Sequence, residues 1–212
     1  MLLYQSIGPN PRVVSMYIAE AGMTVPRRFM DIIASENRTP EMLAKNPSGG
    51  SPFLELDDGN TLSESIAICQ YLDEKKGGTA LVGNTAEDRA RTRSRLRQID
   101  QTVVVPMTNG FRSVEGWAMF ESRMLCVPEA APGNKAYAAD GLRQIDRQLG
   151  GGEWLCDDRF SLADILLFCF ADFGAMVGQP IPDDCSALKQ WHGRVANRPS
   201  AAISADPHNG ID

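Results

Sequence analysis

A carboxylate and a hydroxyl stand next to each other at the start of a predicted amphipathic helix. Glu64 and Ser65 precede the apolar positions of a helix that runs to Lys76. A carboxylate accepts hydrogen bonds from an ammonium group, while a serine hydroxyl and the unpaired N–H groups of a first helical turn donate to a carboxylate. One α-amino acid head group would use both. Capping of the helix by these two residues is the simpler alternative.

A serine–proline pair between a glycine-rich loop and an apolar strand is a second candidate for binding. Ser51 and Pro52 follow the sequence Asn-Pro-Ser-Gly-Gly, and Pro52 opens the predicted strand Phe53–Leu56. Because only about 5–6% of X–Pro bonds in folded proteins are cis, frequency alone favours a trans bond. A cis bond would turn the N–H and C=O of Ser51 away from the sheet, where they could pair with a ligand backbone. Gly50 would keep side chains out of this space. Both pairs together favour binding of a small zwitterionic peptide.

The first part of the chain predicts strands that alternate with helices. Asn10 is a favoured N-cap, and Pro11 suits the first position of a helix between the first two strands. Thr39 and Pro40 open a short helix, and Asp-Asp-Gly-Asn joins the last two strands in a hairpin. The predicted strands are Leu2–Gln5, Arg28–Ile33, Phe53–Leu56 and Thr61–Leu62. This order predicts a mixed sheet covered by helices.

Strand signals end near Thr85, and the rest of the chain predicts helices alone. Thr85 with Asp88 forms a capping-box pattern that opens a long helix towards Glu115, with a bend at Pro106. The other predicted helices are Lys135–Leu149, Leu162–Phe173 and Ala187–Ala196.

A second capping box, Ser161 with Asp164, opens the apolar helix Leu162–Phe173, which we expect in the core of this half of the chain. The expected fold class is α/β plus all-α. We expect an α/β domain over residues 1–78, a linker over 79–84 and an all-helical domain over 85–212.

Composition excludes several classes of protein. The 212 residues are 43% hydrophobic and 23% charged, as in a soluble protein of two small domains. A net charge of -6 argues against nucleic acid or an anionic membrane as an obligatory partner. Five cysteines without a CxxC pair indicate free thiols in a reducing compartment. Neither a signal peptide nor an apolar run of ~20 residues is evident, so we expect a cytoplasmic location. His192 and His208 are too few and too distant to predict a metal site.

Three motifs resemble those of the cytosolic glutathione transferases, in the order and at the spacing of that family. They are the stretch from Asn46 that contains the Ser-Pro and Glu-Ser pairs, Gly-Pro-Asn-Pro-Arg-Val-Val from Gly8, and Phe-Ser-Leu-Ala-Asp-Ile from Phe160. The second of them is similar to the proteobacterial and fungal-like members. The resemblance covers nearly the whole chain. It implies a thioredoxin-like domain followed by an all-helical bundle, a homodimer, glutathione as co-substrate and a role in detoxification.

Carried over to this chain, the resemblance implies roles for individual residues. Ser51, ahead of Pro52, would pair with the cysteinyl backbone of glutathione. Glu64 and Ser65 would hold the γ-glutamyl end. Relatives often carry Gln or Lys at the position of Gly50, so one side-chain contact to glutathione would be missing here.

Conjugation requires the glutathione thiolate, and the family supplies a Tyr, Ser or Cys donor near the first strand's end or the first helix's start. Tyr4 lies mid-strand and is expected in the core. Ser6 has a hydroxyl at the end of the first strand that could donate to the sulfur. The alternative is that this serine only stabilises the turn after the strand. Asn10 stands where thiol-transferring relatives carry cysteine, and its N–H₂ could face the sulfur while its oxygen caps the helix. We favour Asn10 with the helix N-terminus, then Ser6, with an ordered water as the third alternative.

The electrophile pocket is expected to include Met107, Phe111 and Trp117, for each of which core packing is the alternative. The leading function is conjugation of glutathione to electrophilic, mostly apolar small molecules. Isomerisation, ether cleavage or peroxide reduction would use the same site. A non-catalytic binding or regulatory module is the alternative from another class.

Overall fold

The computed structural model describes residues 1–156 and 158–211, and they fall into two compact units. The first unit comprises Met1–Val82 together with the residues from Ala196 onward, and the second comprises Gly83–Val195. The break after Val82 lies inside the segment that the sequence predicts as a linker. Within the described residues, no helix is both long enough and apolar enough to cross a membrane.

The described part of the first unit contains one four-stranded sheet with the strand order β2-β1-β3-β4. Its strands are β1 (Leu2–Gln5), β2 (Arg27–Phe29), β3 (Phe53–Glu55) and β4 (Thr61–Ser63). β1 pairs parallel with β2 and antiparallel with β3, and β3 pairs antiparallel with β4. This is the mixed, thioredoxin-like sheet that the motifs imply.

β2 is shorter than the predicted strand Arg28–Ile33. The carboxylate of Asp31 accepts hydrogen bonds from the backbone N–H groups of Ile33 at 2.9 Å and Ala34 at 3.0 Å. An Asx turn of this kind bends the chain out of the sheet. The prediction is therefore wrong for the second half of that strand.

The first helix starts earlier than the sequence predicts. The helices that precede the second unit are α1 (Pro9–Glu20), α2 (Pro40–Lys45) and α3 (Ser65–Lys76). The N-cap of α1 is Gly8, at φ 114° and ψ 171°, a conformation open to glycine. The prediction that Asn10 caps this helix is wrong, because Asn10 lies inside the first turn. Thr39 does cap α2, and its hydroxyl accepts from Met42 N at 3.4 Å.

Buried hydrogen bonds join α1 to α3. The Tyr17 hydroxyl donates to Asp73 Oδ1 at 2.8 Å, and the Thr79 hydroxyl donates to the same oxygen at 2.6 Å. Burial, reinforced by the bond to Asp73, raises the pKa of Tyr17. The phenol of Tyr17 therefore stays protonated, and its hydrogen bond to Asp73 links α1 to α3.

The second unit is helical. Both predicted capping boxes are confirmed, at Thr85 with Asp88 and at Ser161 with Asp164. The helices are α4 (Ala86–Ile99), α5 (Val105–Arg112), α6 (Trp117–Phe120), α7 (Ala131–Leu149), α8 (Leu162–Met176) and α9 (Ser186–Ala196). α8 contributes a nearly continuous run of buried residues, as predicted for the core of this unit.

The long helix predicted from Thr85 towards Glu115 is interrupted. A π-helical segment, Asp100–Val104, separates α4 from α5. Pro106 lies two positions beyond the end of this segment, and a proline has no N–H to donate to the residue four positions earlier. The expected disturbance is therefore present, but it takes the form of a wider helical turn that begins before the proline.

The C-terminal segment packs against α1 within the first unit. Its helix α10 (Pro199–Ala205) contacts α1. Arg198 donates two hydrogen bonds of 2.7 Å to the carboxylate of Glu20. Beyond α10, the carbonyl of Pro207 accepts from Gln5 Nε2 at 2.7 Å. The sequence does not predict this helix or its contacts.

Candidate functional site

The loop before the serine–proline pair is held by its own side chains. Asn46 is buried, and its Nδ2 donates to the Gly50 carbonyl at 3.0 Å. The Ser48 hydroxyl donates to Asn46 Oδ1 at 2.9 Å and accepts from the Gly50 N–H at 3.1 Å. Both polar backbone groups of Gly50 are thus already engaged within the protein. Gly50 shapes the loop and has no N–H left to offer a ligand.

The start of this loop is anchored by a charged cluster. Lys45 Nζ donates to Glu55 Oε2 at 2.5 Å and to the Tyr4 hydroxyl at 2.9 Å, and Tyr4 in turn donates to Glu55 at 2.9 Å. Hydrogen bonds from Lys45 and then Tyr4 lower the pKa of Glu55, and the same contacts raise the pKa of Lys45. The pair therefore stays ionised at neutral pH and fixes the end of α2. Tyr4 is 2% exposed, which confirms its expected core position.

The bond between Ser51 and Pro52 is cis. Among the described residues, neither the N–H nor the C=O of Ser51 has a hydrogen-bond partner. The Ser51 hydroxyl is buried and is also unpartnered there. Ser51 therefore presents an unpaired backbone donor and acceptor next to the start of β3, the arrangement that an extended peptide uses to pair with a strand.

Glu64 lies at the N-cap of α3 in a backbone conformation that is rare for a residue with a side chain. Its φ is 72° and its ψ is 116°, a combination that costs on the order of 1–3 kcal/mol. Its side chain is exposed and makes no capping hydrogen bond. Capping therefore does not account for this carboxylate. A strained residue at a helix N-terminus, with an exposed carboxylate that makes no capping hydrogen bond, is typical of a binding site.

Ser65 and Asn10 meet at the N-termini of α3 and α1. The Ser65 hydroxyl donates to Asn10 Oδ1 at 3.0 Å. Ser65 is 5% exposed, whereas Asn10 is half-buried. In the described part of the chain, no acceptor pairs with the Asn10 N–H₂. The oxygen of Asn10 thus faces α3, and its donor group is available to a ligand.

Ser6 is buried, and its hydroxyl has no hydrogen-bond partner within the described ranges. The antiparallel register of β1 and β3 pairs Tyr4 with Phe53. The hydroxyl of Ser6 is buried, whereas Asn10 is half-buried, so Asn10 is the more accessible residue of the two.

Arg38 is a candidate that the sequence reasoning missed. It ends a 3₁₀ turn, Glu36–Arg38, and its guanidinium lies against Gly49, where a Cβ atom would come within 2.7 Å of Nη1. No described residue forms an ion pair with Arg38, and its buried Nε has no hydrogen-bond partner. The neighbouring Asn37 donates to the Gly49 carbonyl at 2.7 Å and ties the turn to the loop. An unpaired guanidinium beside this loop is a binding group for a carboxylate.

The three residues expected at the electrophile pocket differ in exposure. Met107 has no exposed surface and packs near Gly174 in the second unit. Phe111 makes edge-to-face contacts with Phe173 at 5.0 Å and Phe120 at 6.0 Å between ring centroids. Trp117 is 37% exposed. Met107 therefore contributes to the interior, whereas Phe111 is half-buried and Trp117 is exposed.

Two family models match the chain. The glutathione S-transferase N-terminal domain matches residues 1–74, and the glutathione S-transferase C-terminal domain matches residues 126–199. The chain is also 30% identical over 203 residues to glutathione S-transferase 2 of Saccharomyces cerevisiae, covering 94% of this chain and 87% of that protein. The protein belongs to the glutathione S-transferase family.

The chain is also similar to a solved structure and to a second relative. The crystal structure of Gtt2 from Saccharomyces cerevisiae superposes with a TM-score of 0.89 at 30% identity, over 96% of this chain and all of that one. A maleylacetoacetate isomerase from Rhizobium meliloti is 40% identical over 83 residues, which are 39% of this chain and 37% of the isomerase. Relatives of this chain thus include both transferases and isomerases.

Proposed function

We propose that this protein binds glutathione and conjugates its thiolate to electrophilic, mostly apolar small molecules. The observation that carries the proposal is the unpaired backbone N–H and C=O of Ser51, beside the cis bond to Pro52. An extended cysteinyl residue has one N–H and one C=O to pair with them. We propose residues 1–78 as the glutathione-binding domain, 79–84 as the linker and 85–212 as the helical domain.

The two ends of glutathione would be held by groups of opposite charge. The Glu64 carboxylate would accept from the γ-glutamyl ammonium. The Ser65 hydroxyl and the first-turn N–H groups of α3 would donate to the adjacent α-carboxylate. The Arg38 guanidinium, unpaired within the described residues, would bind the glycyl carboxylate. A tripeptide with these charges matches the site better than an uncharged ligand does.

Activation of the thiol would come from Asn10 and the N-terminus of α1. A free thiol has a pKa of about 8.5, and lowering it by two units requires about 2.7 kcal/mol. A helix N-terminus contributes roughly 0.3–1 kcal/mol, and up to about 2 in favourable geometry. One hydrogen bond to a charged group contributes roughly 1.5–3 kcal/mol. The two together reach the required amount, and Ser6 or an ordered water would take the place of Asn10 if its amide does not reach the sulfur.

The electrophile would contact the exposed aromatic surface of Phe111 and Trp117. We further propose a cytoplasmic homodimer that acts in detoxification and uses no metal. The net charge of -6 does not favour nucleic acid or an anionic membrane as partner.

Turnover of a chromogenic electrophile with glutathione tests this proposal. The Asn10→Ala variant should lose at least tenfold in turnover, because about 1.4 kcal/mol of thiolate stabilisation corresponds to a factor of ten. Wild-type turnover in that variant would remove Asn10 from the mechanism. Absence of both turnover and retention on immobilised glutathione in the unmodified protein would favour a non-catalytic module.

A second candidate is glutathione-dependent isomerisation, which the maleylacetoacetate isomerase among the relatives favours. The thiolate would then add to the substrate and leave again, so glutathione would not be consumed. Ether cleavage and peroxide reduction would use the same thiolate. Measuring glutathione consumption per product separates isomerisation from conjugation.

A further inference from the structure

Arg112, the last residue of α5, has a guanidinium that no described carboxylate neutralises. It is half-buried, and within the described ranges its side chain forms neither an ion pair nor a hydrogen bond. Burial lowers the pKa of Arg112, while the nearby Cys126 thiol acts in the opposite direction. An arginine nevertheless stays protonated at neutral pH. Partial burial of a charge without a counter-charge is unfavourable, so this cation has a cost that its contacts within the protein do not offset.

The acid nearest to Arg112 along the chain is engaged by a lysine. Glu115 lies three positions further on, a spacing at which ion pairs form on a helix. Its Oε1 instead accepts a hydrogen bond from the Lys135 ammonium, and this bond lowers the pKa of Glu115. The carboxylate that could neutralise Arg112 is therefore paired with another cation.

Aromatic rings of the second unit lie beside this guanidinium. Arg112 Cζ is 5.4 Å from the centroid of the Phe120 ring, which is close enough for a cation–π contact. The Phe120 ring in turn packs against Phe111, and Phe111 packs against Phe173. Such a contact uses the face of the guanidinium and leaves the N–H groups at its edge available to an acceptor. We call Arg112, Phe111 and Phe120 the Arg112 cluster.

The turn between α5 and α6 holds the rings of the Arg112 cluster in place. The Gly116 N–H donates to the Phe111 carbonyl at 2.8 Å. A Cβ atom on Gly116 would come within 2.9 Å of the Phe111 ring and 3.2 Å of the Phe120 ring. A side chain at this position would displace one of the rings, because closely packed atoms leave no room for it. The backbone as well as the side chains therefore positions this combination of apolar surface and positive charge.

We propose that Arg112 binds a carboxylate of the electrophile, so that the preferred acceptors are apolar molecules that carry one carboxylate. This inference rests on the proposed function, in which Phe111 and Trp117 contact the electrophile. A guanidinium offers a carboxylate two parallel N–H groups, and the rings of the Arg112 cluster would pack against the apolar body of the same molecule. The net charge of -6 repels an organic acid at long range, so a local cation is needed to select one.

A matched pair of acceptors tests this inference. 4-Chloro-3,5-dinitrobenzoate carries a carboxylate, and its methyl ester is neutral but otherwise alike. With either compound the glutathione sulfur forms a bond to the ring carbon, and chloride leaves. Each kcat/KM is divided by the rate constant of the uncatalysed reaction with glutathione, which removes the difference in intrinsic reactivity. Arg112→Gln should lower this value at least about tenfold for the acid, because a charge-assisted contact is lost. The value for the ester should stay within about threefold and reports that the variant is folded.

Two further variants and an unreactive ligand act as controls. Arg112→Lys keeps the charge but not the planar pair of donors, so its loss for the acid should be smaller than that of Arg112→Gln. Arg147→Gln makes the same change in net charge at an exposed residue of α7 and should alter neither value. In the wild-type protein, 3,5-dinitrobenzoate should inhibit more strongly than its methyl ester. A pocket without a cation would reverse that order, because the carboxylate would lose its hydration without compensation.

The outcomes separate this inference from the proposed function. An unchanged value for the acid in Arg112→Gln, or equal losses for acid and ester, would overturn the inference alone. Stronger inhibition of the wild-type protein by the neutral ester would also overturn it. If Arg112→Gln bound S-methylglutathione at least about tenfold more weakly, Arg112 would be a glutathione ligand instead. If the wild-type protein turned over neither acceptor, the proposed conjugation and the inference would both fail.

Discussion

The indole N–H of Trp191 donates to Oδ1 of the buried Asp164 at 2.8 Å and so joins α9 to the first turn of α8. The same carboxylate accepts from the backbone N–H of Leu155 at 3.0 Å and from both the N–H and the hydroxyl of Ser161 at 2.9 Å. Burial raises the pKa of Asp164, while these hydrogen bonds oppose that rise. One side chain therefore organises three segments of the second unit.

Replacement of Asp164 by alanine should strongly destabilise the protein. The change leaves four donors without an acceptor in a region that water does not reach, and each buried unsatisfied group costs roughly 1–3 kcal/mol. We expect a loss of at least about 3 kcal/mol in the free energy of unfolding, measured by urea denaturation. Asp88→Ala is the matched control, because it removes the other capping-box acid at an exposed helix start. Its cost should be about 1 kcal/mol, and equal losses in the two variants would contradict this account.

The docking of the C-terminal segment should depend on pH through Glu20. Burial raises the pKa of this carboxyl, but hydrogen bonds from Arg198 and Ser200 outweigh burial, and the folded-state pKa lies below the usual range of a glutamate carboxyl. The stabilisation is therefore present above the unfolded-state pKa and is lost as the pH falls through the folded-state pKa. Amide hydrogen exchange in α10 should rise as the pH approaches that value, after correction for the intrinsic pH dependence of exchange.

The same contact can be tested at neutral pH. Glu20→Gln should weaken the docking of α10 by about 1–3 kcal/mol, because a charge-assisted bidentate contact becomes neutral. Limited proteolysis beyond Arg198 should then become faster. Glu41→Gln, at an exposed carboxylate of α2, should leave the cleavage rate unchanged. Equal rates of proteolysis in Glu20→Gln and the wild-type protein would contradict this prediction. They would show that the apolar contacts of α10 are enough to keep it docked.

Arg38 should contribute to the affinity for the glycyl end of glutathione. Arg38→Ala should weaken glutathione binding by about 10–100-fold, because it removes a charge-assisted contact of roughly 1.5–3 kcal/mol. The glycyl ethyl ester of glutathione has no carboxylate at that end, so its affinity should be low for the wild-type protein and insensitive to the substitution. Both dissociation constants can be measured by calorimetry. Arg147→Ala removes an exposed arginine of the second unit and serves as the control for net charge. Equal losses for glutathione and its ester would place Arg38 elsewhere in the site.

Glu64 should show opposite effects on stability and binding. Its φ of 72° favours glycine, so Glu64→Gly should raise the free energy of unfolding by about 1 kcal/mol once the greater entropy of the unfolded chain is included. The same variant should bind glutathione at least about tenfold more weakly, because the acceptor for the ammonium is lost. Glu64→Gln keeps the backbone strain and should weaken binding without the gain in stability. A Glu64→Gly variant that is less stable than Glu64→Gln would contradict the strain assigned to this residue.

Much of the fold follows from local signals in the sequence. The two capping boxes, the Thr39 cap and the order of strands and helices all depend on residues within a few positions of one another. The cis bond at Ser51 was suggested only by the neighbouring loop and helix start, because the serine–proline pair alone favours trans.

The features of the site and fold that the sequence does not predict depend on contacts between residues far apart in the chain. Arg38 became a candidate because its guanidinium lies against Gly49 and has no ion-pair partner among the described residues. The pairing of Ser65 with Asn10 joins the starts of two helices, and the docking of α10 joins Arg198 to Glu20. No local pattern encodes such contacts, since each depends on how the elements pack.

The start of α1 differs from the sequence prediction for a physical reason that also affects the candidate site. Asn10 is a good N-cap by type, but Gly8 adopts a conformation open to glycine and lets the helix begin at Pro9. The side chain of Asn10 is thereby released from capping. Its oxygen pairs with Ser65, and its N–H₂ is left available.

The central claim is that the backbone of Ser51 and the carboxylate of Glu64 hold the same tripeptide, and a crystal structure with bound glutathione tests it most directly. We expect the N–H and C=O of Ser51 to pair with the cysteinyl backbone at about 2.9 Å, and the Glu64 carboxylate to accept from the γ-glutamyl ammonium at a similar distance. Glutathione bound elsewhere, or bound with the Ser51 backbone still facing solvent, would contradict the account.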